Sequence, residues 1–241
     1  MHMTVLHGLR RLARRFGVDV SRYPEATPEY QADQLLARHR VDLVLDVGAN
    51  DGGYAAMLRR AGYGGRIVSF EPVREPFRWL RERTADDRLW TAVPWAVGDT
   101  DGTVDIHVAG NAAASSSVLP MLPRHAEAAP ESRYVGTEQA QQRRLDTLWP
   151  ELVQAGERVF LKVDVQGAEK HVLAGAGDRL AQCVGAQLEV SFAPLYEGGM
   201  LYREALDWLE AGGLSLMYVV PGFTDPRTGR MYQCDVVCFR E

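Results

Sequence analysis

Apolar and polar positions along this chain switch between a period of two and a period near 3.6, and the switches mark out the elements. Val41 to Asp46 is a mostly apolar run with two β-branched residues, so it predicts a buried strand. It runs through the turn Gly48-Ala49-Asn50-Asp51-Gly52 into the amphipathic stretch Tyr54-Ala55-Ala56-Met57-Leu58, giving a strand, turn and helix unit. Arg66 to Phe70 predicts a second strand, stopped at Glu71-Pro72, and a helix from about Pro76 to Arg83 leads to a third strand, Leu89–Val93. Thr103 to Val108 alternates like an exposed strand, and the turn residues Gly98 to Gly102 predict that it forms a hairpin with Trp95–Asp99. The segment 109–137 shows no period, and a loop of that length reads as an active-site lid.

The pattern then resumes. Arg158–Asp164 predicts a fourth strand ending in a carboxylate, followed by a helix through Ala174, and Gly185–Val190 predicts a fifth strand. Leu201–Ala211 is a helix with Leu201, Ala205, Trp208 and Leu209 inward, ended by Gly212-Gly213. Leu214–Val220 and Gln233–Phe239 are the last two strands, and a hairpin between them makes one antiparallel to the rest. Strands alternating with helices imply a mostly parallel sheet with right-handed crossovers and helices on both faces. Ahead of all this lie a helix over 28–40 and a segment, 4–17, that sets Val5, Leu6, Leu9, Leu12 and Phe16 against Arg10, Arg11, Arg14 and Arg15. Two readings of that segment stay open: a helix packed on the domain, or a basic amphipathic helix resting on an anionic membrane or a lipid-linked substrate. We therefore divide the chain into a helical extension, 1–40, and one catalytic domain, 41–241.

Composition narrows the class. With 241 residues and 46% hydrophobic content the chain can bury a full core. A net charge of −5, from 27 basic and 32 acidic residues, argues against nucleic-acid partners, which require a cationic face. Cys183, Cys234 and Cys238 are odd in number and have no histidine cluster nearby, so reduced thiols in a cytoplasmic protein are the plain reading. No apolar run reaches the roughly 18 residues of a membrane span.

The chemistry concentrates at strand ends. In an open α/β sheet, ligands bind at the carboxyl ends of the strands, and Gly48 and Gly52 leave room there for a cofactor to lie on the backbone. Glu71 follows Gly52 by 19 positions (71 minus 52), a spacing at which an acid reaches a ribose diol. Asp46 and Asp51 make the turn acidic, which suits a cationic or hydroxyl-rich cofactor better than a phosphate. Asp164 ends the fourth strand and Glu189 lies near the same end of the fifth, about 5 Å apart if those strands are neighbours, and the two could serve as general base and partner or hold one Mg²⁺. His125 in the lid, His107 and His171 are the other candidate bases. Tyr196 and Trp149 could stack on a sugar, and Ser115 to Ser117 could line its pocket.

The ordered set Asp46-Val47-Gly48-Ala49-Asn50-Asp51-Gly52, Phe70-Glu71-Pro72, Ala96-Val97-Gly98-Asp99, Ser115-Ser116-Ser117, Leu161 to Glu169 and Glu189 to Gly198 resembles the FkbM family of S-adenosylmethionine-dependent methyltransferases. The resemblance covers about residues 41–240. It implies the class I methyltransferase fold, a Rossmann-like α/β sheet of seven strands with the last antiparallel, and methylation of hydroxyls on sugars and natural products. It implies Asp46, Gly48, Asn50 and Gly52 around the methionine part of the cofactor, Glu71 with Pro72 at its ribose, and Ala96 and Val97 along its adenine. Asp164 belongs to both the cofactor and catalytic sets. Family members often carry Glu where this chain has Gln166. The expected partner is a hydroxyl-bearing small molecule or glycan, and a homodimer is an open expectation. Two rival classes are a non-catalytic protein that keeps the fold and a nicotinamide dehydrogenase. The latter needs G-x-G-x-x-G, whose middle glycine is Asn50 here.

Overall fold

A computed structural model describes residues 28–241 together with Ala13, Arg15 and Phe16, so all but these three residues of the 4–17 segment, and with them its membrane reading, lie outside the described residues. The chain runs α1 (Pro28–Arg38), β1 (Leu43–Val47), α2 (Gly53–Ala61), β2 (Arg66–Phe70), α3 (Arg74–Thr84), β3 (Trp90–Val93), β4 (Trp95–Gly98) and β5 (Gly102–Ala109). It continues with α4 (Pro123–Ala128), β6 (Tyr134–Arg144), α5 (Leu145–Leu152), β7 (Val159–Val163), α6 (Glu169–Ala176), β8 (Cys183–Ser191), α7 (Tyr202–Ala211), β9 (Ser215–Pro221) and β10 (Gln233–Phe239).

Seven strands form one sheet in the order β3-β2-β1-β7-β8-β10-β9. β1 pairs in parallel with β2 and β7, and β7 with β8, while β10 runs antiparallel to both β8 and β9. Strand order therefore reverses between β1 and β7, and the carboxyl ends of β1, β2, β7 and β8 open on one edge, where a ligand crevice forms. β1 and β7 are buried along their whole length, which explains their mostly apolar runs, interrupted only by Asp46 and Lys162. Alternate residues face two cores. Leu43, Leu45, Leu161 and Val163 meet α5, α6 and α7 through Leu148, Leu173 and Leu209. Val44, Ile67 and Phe160 meet α2 and α3 through Leu58 and Leu80. α1, which a division at residue 40 would set apart, buries Ala32 and Leu36 in that second cluster.

The second sheet corrects one expectation. β4 and β5 do not form a hairpin: β6 lies between them, parallel to β4 and antiparallel to β5. β6 leaves no hydrophobic period because only Ala140 and Gln142 of its eleven residues are buried, and α5 hides its signal behind Pro150 near its end. The segment 109–137 is not a bare loop. It holds α4 and is tied to the loop after β8, with Leu122 N donating to Leu195 O (2.8 Å) and Glu197 N to Pro120 O (2.9 Å). Among the described residues, no helix is long and apolar enough to cross a membrane.

Candidate active site

The turn after β1 sets the site. Gly48 adopts φ +79, a left-handed conformation, and a Cβ there would lie 1.8 Å from Asp164 O, so glycine is required by the close passage of the β1 and β7 ends. Gly48 N and Ala49 N both donate to Phe70 O (3.1 and 3.0 Å), joining this turn to the end of β2. Asn50, also left-handed at φ +49, then turns its backbone N–H onto Glu71 Oε2 at 2.8 Å. Val73 N donates to Glu71 Oε1 at 2.8 Å, so the carboxylate is fixed at both oxygens. Burial pushes Glu71 up to about 7 against the pull of those two donors.

These groups border a cavity of about 340 Å³ lined by Gly48, Asn50, Asp51, Glu71, Pro72, Ala96 and Val97 on one side and by Asp164, Val165, Gln166 and His171 on another. Ala112 to Ala114 and Ser116 to Val118 roof it, and Asn50 Nδ2 reaches Ala112 O (3.3 Å) to hold the roof to the turn. The lid expectation thus has a structural counterpart. The volume is that of a small-molecule pocket, with an apolar slot at Trp95, Ala96, Val97 and Ile106 beside an anchored carboxylate. A flat base, a diol and a cationic sulfur compound fit this set of surfaces.

Two expected cofactor contacts lie elsewhere. Asp46 is fully buried beneath the floor, where it accepts from Ser69 Oγ (2.9 Å) and ion-pairs with Lys162 Nζ (3.2 Å). Its side chain alternates along β1 with that of Val47, which lines the cavity, and Asp46 itself does not. Gly52 faces protein rather than the cavity: a Cβ there would sit 2.8 Å from Leu80 Cδ1 and 2.9 Å from Trp90 Cζ2. Its φ of +83 and the packing of α3 and β3 call for glycine.

Lys162 is the cation at the centre of this floor. Its buried ammonium donates to Gly48 O (3.0 Å), lies 3.6 Å from Asp164 Oδ2 and sits 5.5 Å from the Tyr54 ring centroid. Burial alone would lower its pKa, but the Asp46 and Asp164 charges outweigh that and hold it above the ordinary lysine value.

Asp164 and Glu189 do meet, since β7 and β8 are neighbours. Gln166, at φ +55, donates from Nε2 to Asp164 Oδ1 (2.9 Å) and Glu189 Oε2 (2.7 Å). Its Oε1 accepts from Tyr196 Oη (2.8 Å), which fixes the amide orientation, and Gln233 Nε2 adds a second donor to Glu189 Oε2 (2.6 Å). Burial, with Asp164, Glu169 and Asp235 close by, raises Glu189 well above the usual carboxylate range. Burial and Asp164 push Asp235, opposite Glu189 on β10, up to about 6.

This donor set does not suit Mg²⁺. Between the two carboxylates stands an amide that donates to both, with an ammonium behind, and among the described residues no group of three or more His, Cys, Asp or Glu could hold a metal.

Three further expectations change. His125 does not line the cavity; it is buried edge-on to Tyr196 (5.2 Å) and beside Phe223 (5.3 Å), and burial lowers it to about 4, so it is a packing residue. Tyr196 and Trp149 are buried and offer no face to a sugar. His107 stacks on Tyr134, which leaves His171 as the cavity histidine. Gln142, Gln233 and Asp235 were missed because lone polar residues in strands carry no motif.

A sheet whose order reverses beside a glycine turn, with an anchored acid at the next strand and an apolar slot for a base, defines an S-adenosylmethionine-dependent methyltransferase of class I architecture. The methyltransferase FkbM domain matches residues 46–216, and the chain belongs to that family. It is 25% identical over 210 residues to the 2-O-methyltransferase NoeI of Sinorhizobium fredii, a match covering 85% of this chain and 86% of NoeI. Among solved structures it is similar to Aeropyrum pernix fibrillarin with bound S-adenosyl-L-methionine (TM-score 0.47, 16% identity, 87% of this chain and 75% of that one). It is also similar to TehB of Haemophilus influenzae (TM-score 0.49, 9% identity, 88% and 61%). The family match to methyltransferases replaces the dehydrogenase reading.

Proposed function

We propose that the chain methylates a hydroxyl oxygen of a sugar-bearing acceptor, with Glu189 as the group that receives the hydroxyl proton and Asp164 as its partner. S-adenosylmethionine supplies an activated methyl on a sulfonium: an oxygen lone pair forms the new O–CH3 bond, the S–CH3 bond breaks and its electrons stay on sulfur. The protein has then to align the acceptor, exclude water and take up one proton. The observation that carries the reading is the bridged pair at the ends of β7 and β8, of which Asp164 and the bridging Gln166 line the cavity beneath Ala112 to Ala114 and Ser116 to Val118, with Glu189 one hydrogen bond behind them.

Glu189 fits the base role because burial and three neighbouring carboxyls raise its proton affinity above that of an ordinary carboxylate. Its Oε2 is occupied by two amides, which leaves Oε1 for the acceptor. Amides and carboxylates at one mouth suit a polyol, and NoeI, named for 2-O-methyl transfer, supports oxygen as the acceptor atom. The test is transfer of labelled methyl from S-adenosylmethionine into carbohydrate-containing fractions of the host. Glu189→Gln should lower turnover at least about a hundred-fold with cofactor binding intact. No label in any such fraction, or an unchanged rate in the variant, rejects the assignment.

A further inference from the structure

Gln142 has no part in the carboxylate network, yet β6 delivers its side chain to the cavity. It is a buried strand residue paired with Ala96 in register, and it borders the pocket beside Trp95, Ala96, Val97 and Ile106. Its Nε2 donates to Thr100 O (3.1 Å) and Thr100 Oγ1 (2.9 Å), which takes both amide hydrogens. Because Thr100 O can only accept, the orientation of the amide is fixed, with nitrogen toward Thr100 and Oε1 turned away. Among the described residues no donor reaches Oε1, and it is not among the sealed polar atoms lacking a partner, so a residue that lines the cavity keeps an unsealed acceptor without a donor. Gly98 makes this possible: a Cβ there would lie 2.6 Å from the carboxamide. The motif Ala96-Val97-Gly98 thus supplies two flat apolar walls and the gap in which the amide rests.

We propose that Gln142 selects the base of the cofactor, its Oε1 accepting a hydrogen bond from the exocyclic amine of a 6-aminopurine stacked in the Trp95, Ala96, Val97 and Ile106 slot. The proposal rests on the assignment of this cavity to S-adenosylmethionine. An acceptor at that position admits an amine and opposes a 6-oxo group, whose oxygen would face Oε1 with neither atom able to donate. An unmade hydrogen bond at a desolvated acceptor weakens binding about five- to hundred-fold.

The experiment titrates the purified full-length chain with S-adenosylhomocysteine, its hypoxanthine counterpart S-inosylhomocysteine, and the analogue with hydrogen at purine C6. The wild type should bind the adenine compound at least about five-fold more tightly than either analogue. Gln142→Leu, folded by its melting curve, should bind all three within about two-fold of one another. Equal affinities in the wild type overturn the proposal without any variant, as does discrimination that survives in Gln142→Leu. Failure of the wild type to bind S-adenosylhomocysteine at all overturns the cofactor assignment and this inference with it, whereas equal binding of all three overturns base selection alone.

Discussion

Lys162→Met removes the one ammonium in a pocket that holds the site turn together. The Nζ lies 3.2 Å from Asp46 Oδ1, 3.6 Å from Asp164 Oδ2 and 3.0 Å from Gly48 O, and Asp46 is fully enclosed. Methionine fills a similar volume, so the loss is chiefly electrostatic: Asp46 becomes a buried carboxylate with only Ser69 to hydrogen-bond it. Breaking one partner of a buried pair destabilises by about 3–5 kcal/mol, and at about 2–4 °C per kcal/mol for a chain of this size the melting temperature should fall by roughly 6–20 °C. Adding Asp46→Asn removes the stranded charge, so the double variant should recover part of the loss. The lysine pKa is raised in the folded state, so its contribution is fully present below the unfolded lysine pKa and is lost as pH rises through the folded value. Urea unfolding of the two single variants and the double variant at neutral pH and above pH 10 checks each step. A Lys162→Met protein within about 1 kcal/mol of wild type, or a double variant weaker than the sum of the singles, would refute the reasoning.

Three other outcomes follow from the turn and its roof. Gly48→Ala places a Cβ against Asp164 O at φ +79, so the chain should fold poorly or lose cofactor binding; normal melting with normal affinity in a titration would contradict this. Asn50→Ala frees Ala112 O and the roof, and stopped-flow displacement should show several-fold faster release of S-adenosylhomocysteine. Glu71 is raised to about 7, so the apo protein should lose stability as pH climbs from the unfolded value of about 4.5 through 7. Ribose hydroxyls donate best to the ionised form, so affinity for S-adenosylhomocysteine should rise over the same window; Glu71→Gln should flatten both profiles in melts and titrations.

Residue pattern told most where one physical demand governs a whole stretch. β1 and β7 are buried on both faces and read as mostly apolar runs, and β10 was placed at its observed ends. Glu71 was legible because a strand ending in acid before proline after a glycine turn has a spacing that geometry dictates. Asp46 misled because a carboxylate within a glycine motif looks like a ligand, while strand alternation turns it into the floor, toward Lys162. Gly52 misled likewise, since a glycine needed for packing on Leu80 and Trp90 is indistinguishable by sequence from one needed by a ligand. β6 was silent because its polar faces carry no period, and Gln142 with it. His125 read as a base from residue type alone, whereas its neighbours Tyr196 and Phe223 come from segments far along the chain.

The most direct measurement is calorimetric titration of the full-length chain with S-adenosylhomocysteine, repeated on Glu71→Ala. A single site per chain, at least about ten-fold weaker in a Glu71→Ala protein that still melts cooperatively, is the predicted result. Absence of binding by the wild type, or equal affinity in the two proteins, would contradict the account of this cavity.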